Sequence, residues 1–204
     1  SADGSVTIFS GTGSQTSRPI SGGAASSPIL TDFDGDGFAE VLFGGDERIW
    51  VTRFNGFGQS DTPYEIPLRD KAGRLEAPPL VADLDADGAL DLIVASQAGV
   101  IYAISAAGQM LPGFPILATG RILVSPLLAD IDHDDNLELI AFTDQGTAHL
   151  WHLEHLDPNL TGTIVAWGQQ GGNAANTGFF SQSGTPADDF GQGSLLPESR
   201  AYCY

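Results

Sequence analysis

Asp32-Phe33-Asp34-Gly35-Asp36-Gly37-Phe38-Ala39-Glu40 decides the reading of this chain, because its pattern returns twice, in phase, further along. The second copy is Asp83-Leu84-Asp85-Ala86-Asp87-Gly88-Ala89-Leu90-Asp91, and the third is Asp130-Ile131-Asp132-His133-Asp134-Asp135-Asn136-Leu137-Glu138. Each places acids at positions one, three, five and nine, and Asp135 is the one extra acid. A single acidic cluster reads as a solvated loop, whereas three copies at matched spacing read as an internal repeat.

Four carboxylates within nine residues repel one another unless positive charge sits among them, and a hard divalent cation with oxygen ligands meets that need. Calcium is the best match, since it accepts about six to eight oxygens in a flexible geometry while magnesium holds to a stricter octahedron. Positions one, three and five can gather around one centre as the chain curls. Position seven can offer its carbonyl, and position nine can close the cage. Gly37 and Gly88 at position six suit the sharp turn, because glycine reaches positive φ without steric cost. Asp135 takes that place in the third copy, so the third site is expected to be the most strained or the weakest.

What flanks the loops separates one calcium motif from another. An EF-hand carries a bidentate Glu at position twelve between two helices, but that position holds Phe43, Val94 and Ala141. The residues upstream are Pro28-Ile29-Leu30, Pro79-Leu80-Val81 and Pro126-Leu127-Leu128. Those downstream are Val41-Leu42-Phe43, Leu92-Ile93-Val94 and Leu139-Ile140-Ala141. Short apolar runs bounded by Gly, Asp or Ser are buried strands, so each loop joins strand to strand.

The phase holds beyond the loops. Asp32 to Asp83 is 51 residues, Asp83 to Asp130 is 47, and a proline stands four residues before each first Asp. After each second strand a turn leads to a third, at 48–51, 100–104 and 147–151, and a fourth is expected at 64–67, 114–117 and 163–167. Four short strands in about 50 residues match one blade of a β-propeller, with a stack of β-helix coils as the runner-up.

The unit Pro-x-Leu/Val-x-Asp-x-Asp-x-Asp-Gly-x-x-Glu/Asp, followed by an apolar strand and glycine, resembles the FG-GAP/VCBS repeat of integrin α-like propellers of the bacterial secreted type. Gly108-Gln109-Met110-Leu111-Pro112-Gly113-Phe114-Pro115 is similar to the turn and outer strand of bacterial members, and 167–178 resembles the phrase that ends such propellers. The resemblance spans about residues 5–178. It implies calcium held by Asp32, Asp34, Asp36 and Glu40, by Asp83, Asp85, Asp87 and Asp91, and by Asp130, Asp132, Asp134 and Glu138. The position-seven carbonyls would come from Phe38, Ala89 and Asn136, giving up to three structural Ca2+ ions. Family propellers close with about seven blades, within the general range.

The expected architecture is therefore all-β, with four-stranded antiparallel blades at about 26–68, 76–118 and 124–167. Ser5-Val6-Thr7-Ile8-Phe9 reads as the last strands of a preceding blade, within a propeller segment covering 1–178. Three blades and a fraction leave open edges, so the chain is expected to belong to a larger or multi-chain propeller. Residues 179–199, rich in Ser, Gly, Gln, Asp and Pro, read as a linker, and 200–204 as the start of a further domain.

Composition narrows the function. Asp and Glu number 26 against 8 Lys and Arg, and thirteen of the acids lie in the three loops. Three dications would bring the formal charge from −18 to −12, so much of the acidity reads as ligand supply. With no basic patch to release phosphate counterions, nucleic acid is not an expected partner. No apolar run reaches the roughly 18 to 20 residues that span a bilayer, so direct membrane insertion is not expected. Ser1-Ala2-Asp3-Gly4 lacks a secretory leader's basic start and apolar stretch, which suits a mature start or a piece of a longer chain. Cys203, the only cysteine, says little about redox compartment.

Candidate catalytic groups are few. His149 and His152 on one strand point to opposite faces, and His133 occupies a non-ligating loop position facing solvent. No P-loop, dinucleotide fingerprint or serine-nucleophile motif is present, so no enzyme is expected. Trp50, Tyr102 and Trp151 occupy the same strand of successive units, where packing between blades explains them and a sugar-stacking platform is the alternative. Asn159-Leu160-Thr161 fits the glycosylation pattern, a match that arises often by chance. The resulting reading is a secreted, periplasmic or cell-surface calcium-binding module for adhesion, protein interaction or assembly. Its partners would be a protein or glycan at the cell surface and another chain or segment completing the propeller. The alternative is a non-catalytic segment of a lyase-like polysaccharide-active enzyme, or a glycan-binding lectin.

Overall fold

The computed structural model describes residues 4–9, 13, 15–20, 23–53, 64–68, 73–134, 136–153 and 165–167. Asp135, Asn159, the linker at 179–199 and the proposed domain start at 200–204 lie outside the described residues. The described residues are all-β, with fourteen strands and no helix.

A two-stranded sheet of β1 (Gly4–Phe9) and β2 (Gln15–Ile20) comes first. The first blade is β3 (Ile29–Thr31), β4 (Glu40–Gly44), β5 (Arg48–Arg53) and β6 (Tyr64–Pro67), paired antiparallel in chain order. The second repeats it with β7 (Leu80–Ala82), β8 (Asp91–Ala95), β9 (Val100–Ser105) and β10 (Ile116–Leu117). The third sheet is β11 (Leu127–Ala129), β12 (Leu137–Phe142) and β13 (Ala148–Leu153). Each acidic nonapeptide is the connection between the first two strands of its unit, as its flanking apolar runs require.

Period-two alternation buries both faces of the inner sheets. Ile29, Leu42 and Val51 stand side by side across the first blade and meet Val81, Leu92 and Ile104 of the second. The second blade's other face, carrying Leu80, Ile93 and Ala103, packs on Leu128, Leu137 and Leu139 of the third sheet. Phe43 and Trp50, on the first blade's remaining face, meet Ile20 and Val6 of the opening pair. The sheets thus stack face to face, and packing between them supplies the core. Burying each such Leu or Ile contributes roughly 1.5–3 kcal/mol. Trp50 and Tyr102 are buried in these layers and Trp151 packs partly buried against the last, which is the inter-blade role expected of them.

Backbone hydrogen bonds hold neighbouring units in line. The Leu75 amide donates to the Gly45 carbonyl of the first blade, while the Gln97 amide of the second donates to the Arg74 carbonyl. The 118–122 segment repeats the arrangement, with Ala118 donating to Gly99 and Asp144 donating to Arg121.

One strand is placed differently from expectation. Val165–Trp167 (β14), read as the fourth strand of the third blade, pairs antiparallel with β7 of the second sheet. β7 ends its own ladder, and a strand laid on that edge satisfies backbone groups that would otherwise go unpaired. The third sheet consequently has three strands among the described residues.

Close approach of blades explains one glycine. A Cβ on Gly44 would lie 2.4 Å from the Leu75 carbonyl oxygen. Gly44→Ala is therefore expected to cost about 1–3 kcal/mol, lowering the melting temperature by several degrees in a thermal unfolding scan.

Candidate functional site

The acidic loops are built by their own carboxylates before any ion is considered. In all three, the position-nine acid accepts a hydrogen bond from the position-two amide: Phe33 N–H to Glu40 Oε2, Leu84 N–H to Asp91 Oδ2 and Ile131 N–H to Glu138 Oε2, each 2.8 Å. The position-seven amide donates to the position-five carboxylate, from Phe38 to Asp36, Ala89 to Asp87 and Asn136 to Asp134. In the first two loops the position-six glycine amide donates to the position-one Asp, at 2.9 Å for Gly37 and 3.0 Å for Gly88. The third closes with the His133 amide on Asp130 Oδ1 at 2.7 Å.

Gly37 and Gly88 have the positive φ expected of them, 89° and 88°. Position four also turns left-handed, with φ of 74° at Gly35, 56° at Ala86 and 62° at His133. Ala86 and His133 carry a Cβ into a region that L-residues disfavour, a feature no spacing argument revealed.

These turns bring the predicted ligands together in part. Oxygens of Asp32, Asp34 and Asp36 lie within 4.8 Å of one another, as do those of Asp83, Asp85 and Asp91, and in the third loop those of Asp132, Asp134 and Glu138 with a nitrogen of His152. Asp87 and Asp130 are held by backbone amides beside their groups. Phe38 and Ala89 are exposed at position seven, where Asn136 is partly buried. His133 is exposed, as its loop position implied.

Two buried oxygens test whether a cation suits these sites. Asp83 is only 4% exposed, and its Oδ1 has no hydrogen-bond partner. Asp32 Oδ1, the same atom of the first loop, is equally unpartnered. A buried carboxylate oxygen without a donor is costly, and a cation among converging oxygens removes that cost. Calcium fits the all-oxygen donor set of the second loop on this ground.

Register supplies a further group that sequence reasoning missed. The position-nine acids face Arg53, Ser105 and His152 across the ladder. Arg53 forms ion pairs with Asp34, with Asp36 at 3.0 Å and with Glu40 at 3.3 Å. His152 Nδ1 lies 2.7 Å from Glu138 Oε1, and its Nε2 lies 3.7 Å from Asp134. Counting outward through the short turn after the second strand would have found both. His149 points to the opposite face, stacked on Trp151 at 5.3 Å and accepting from the Thr119 amide.

Electrostatics follow from burial. Asp91, 2% exposed, is raised to about 7, chiefly by loss of hydration and then by its acidic neighbours against the Leu84 hydrogen bond. Burial raises Asp83 too. Glu40 is likewise pushed to about 7 by burial, but Arg53 at 3.3 Å opposes that rise, so Asp91 is the cleaner case. His152 is raised by its hydrogen bond to Glu138.

Residues 32–94, from the first acidic loop through the second, match the family model of the FG-GAP-like repeat. No curated protein matches the chain. The class these observations define is an all-β protein of propeller-blade sheets, similar to the FG-GAP-like repeat over residues 32–94.

Two outcomes follow. Because the folded-state pKa of Asp91 lies above its unfolded value, its protonated form contributes stability at low pH that is lost as pH rises through about 7. Melting in a chelator is thus expected at higher temperature near pH 5.5 than at pH 8, with the difference reduced in Asp91→Asn. Ala86→Gly is expected to add about 1 kcal/mol by relieving the left-handed alanine, net of the freedom glycine gives the unfolded chain, and a rise of roughly 2–4 °C in melting temperature checks it.

Proposed function

We propose that this chain is a calcium-stabilised segment of a larger propeller, secreted, periplasmic or at the cell surface, whose role is binding in adhesion or assembly rather than catalysis. The observation that carries the calcium reading is the second loop, where Asp83, Asp85 and Asp91 converge around the unpartnered buried Oδ1 of Asp83. The ion's work is structural: it neutralises the carboxylates and pins the connection between the first two strands of a blade, while the outer turns stay free for partners.

The third sheet supports the assembly reading. Leu127, Ile140 and Leu150 line up across it in the register that Ile29, Leu42 and Val51, and then Leu80, Ile93 and Ala103, occupy in the first two blades. Those two rows are buried beneath the following sheet. In the third, Leu127 is 38% and Leu150 59% exposed. The row suits one more blade-like sheet, from another segment of a longer chain or from another chain.

Removing calcium with EDTA is expected to lower the melting temperature by many degrees, and added calcium to restore it. An unchanged melting curve rules out a structural ion. Asp83→Asn with Asp85→Asn should remove most of the response to calcium in the same measurement.

A further inference from the structure

The three loops share one backbone plan but face three different side chains across the ladder, and that difference separates them. We propose that Arg53 is the resident cation of the first loop, so that this loop closes without a metal ion while the second loop is the chain's calcium site. This inference rests on the calcium reading for the second loop only.

Arg53 stands on β5 directly opposite Glu40. Its guanidinium reaches Asp34 and Asp36 through its two terminal nitrogens and Glu40 through Nε. One planar donor fork thus takes an oxygen from each of three of the four acids that would otherwise ligate a metal. Asp32 Oδ2 is occupied by the Gly37 amide, and Asp32 Oδ1 is an unpartnered buried oxygen among the described residues. The oxygens of Asp34 and Asp36 that would join it in a calcium cage of about six to eight ligands already face the guanidinium. For calcium to enter, Arg53 must withdraw from three carboxylates at once.

Among the described residues, no ion pair is formed with the acids of the second loop. Ser105 occupies the matching place opposite Asp91, and its hydroxyl accepts from the Gln109 amide at 3.3 Å. Oxygens of Asp83, Asp85 and Asp91 converge there with Asp83 Oδ1 unpartnered, so the charge requirement falls to an ion from solution. The expected ranking therefore changes: the first loop, despite glycine at position six and an unbroken motif, is the weakest for calcium.

Equilibrium dialysis against calcium, counting bound ions, tests this on the chain and four variants. Asp34→Asn with Asp36→Asn is expected to leave the ion count unchanged, and Asp85→Asn with Asp87→Asn to lower it by one. Arg53→Ser, which copies the second loop's arrangement, is expected to raise the count by one and to lower the melting temperature in EDTA, with calcium restoring it. Ser105→Arg is expected to remove the second loop's ion. A loss of one ion on altering Asp34 and Asp36 in the presence of Arg53 overturns the proposal. So does an Arg53→Ser protein whose ion count and EDTA melting temperature both equal those of the parent. If no variant binds calcium, the calcium reading itself fails. The EDTA melting temperature of Arg53→Ser then decides the role of Arg53: a fall supports the resident cation, and no change removes it.

Discussion

Concentrating four carboxylates in a nine-residue connection sets the constraint around which this fold is arranged. The repulsion is relieved locally by backbone donors: the position-two amide reaches the position-nine acid at the same 2.8 Å in every loop. That single hydrogen bond ties the start of the connection to the start of the second strand. It also draws the position-nine acid into the sheet, where Glu40, Asp91 and Glu138 are all buried. Burial raises the cost of leaving those acids ionised and unpaired, so each loop needs a positive partner more than an exposed acidic loop would.

Strand register within each sheet determines what each partner is. Residues facing one another across β4 and β5, β8 and β9, or β12 and β13 are set by turn length, and the positions opposite the acids fall to Arg53, Ser105 and His152. Guanidinium, hydroxyl and imidazole differ in charge and in what they donate. Loops alike in sequence therefore present different electrostatic environments. The layering of the sheets makes the apolar rows of the first two blades interior and leaves that of the third sheet exposed, which links the core of the fold to its capacity for assembly.

Much of this was legible in the chain itself. The repeated nonapeptide, the apolar triplets on either side and the period near 50 residues point to paired strands joined by acidic turns, and the strands from β3 onward fall within a residue or two of those positions, while β2 was not expected. Gly37 and Gly88 announced their left-handed conformations because glycine at a tight turn has few other uses. Ala86 and His133 did not, since the strain of a Cβ in that region is tolerated only where surrounding hydrogen bonds demand it. The destination of β14 was likewise hidden. An open ladder edge on β7 competes for that strand with the sheet nearest in sequence, and local pattern carries no information about which edge wins.

By itself, the sequence determined the strands of the repeat, its period and the position of the carboxylate loops, because these follow from alternation, turn chemistry and spacing within short windows. Only the tertiary structure decided how the side chain across from each acid reaches into its loop and which apolar row is covered. Those outcomes depend on strand register and sheet stacking, where residues thirteen or more apart meet through pairing rather than through their order in the chain.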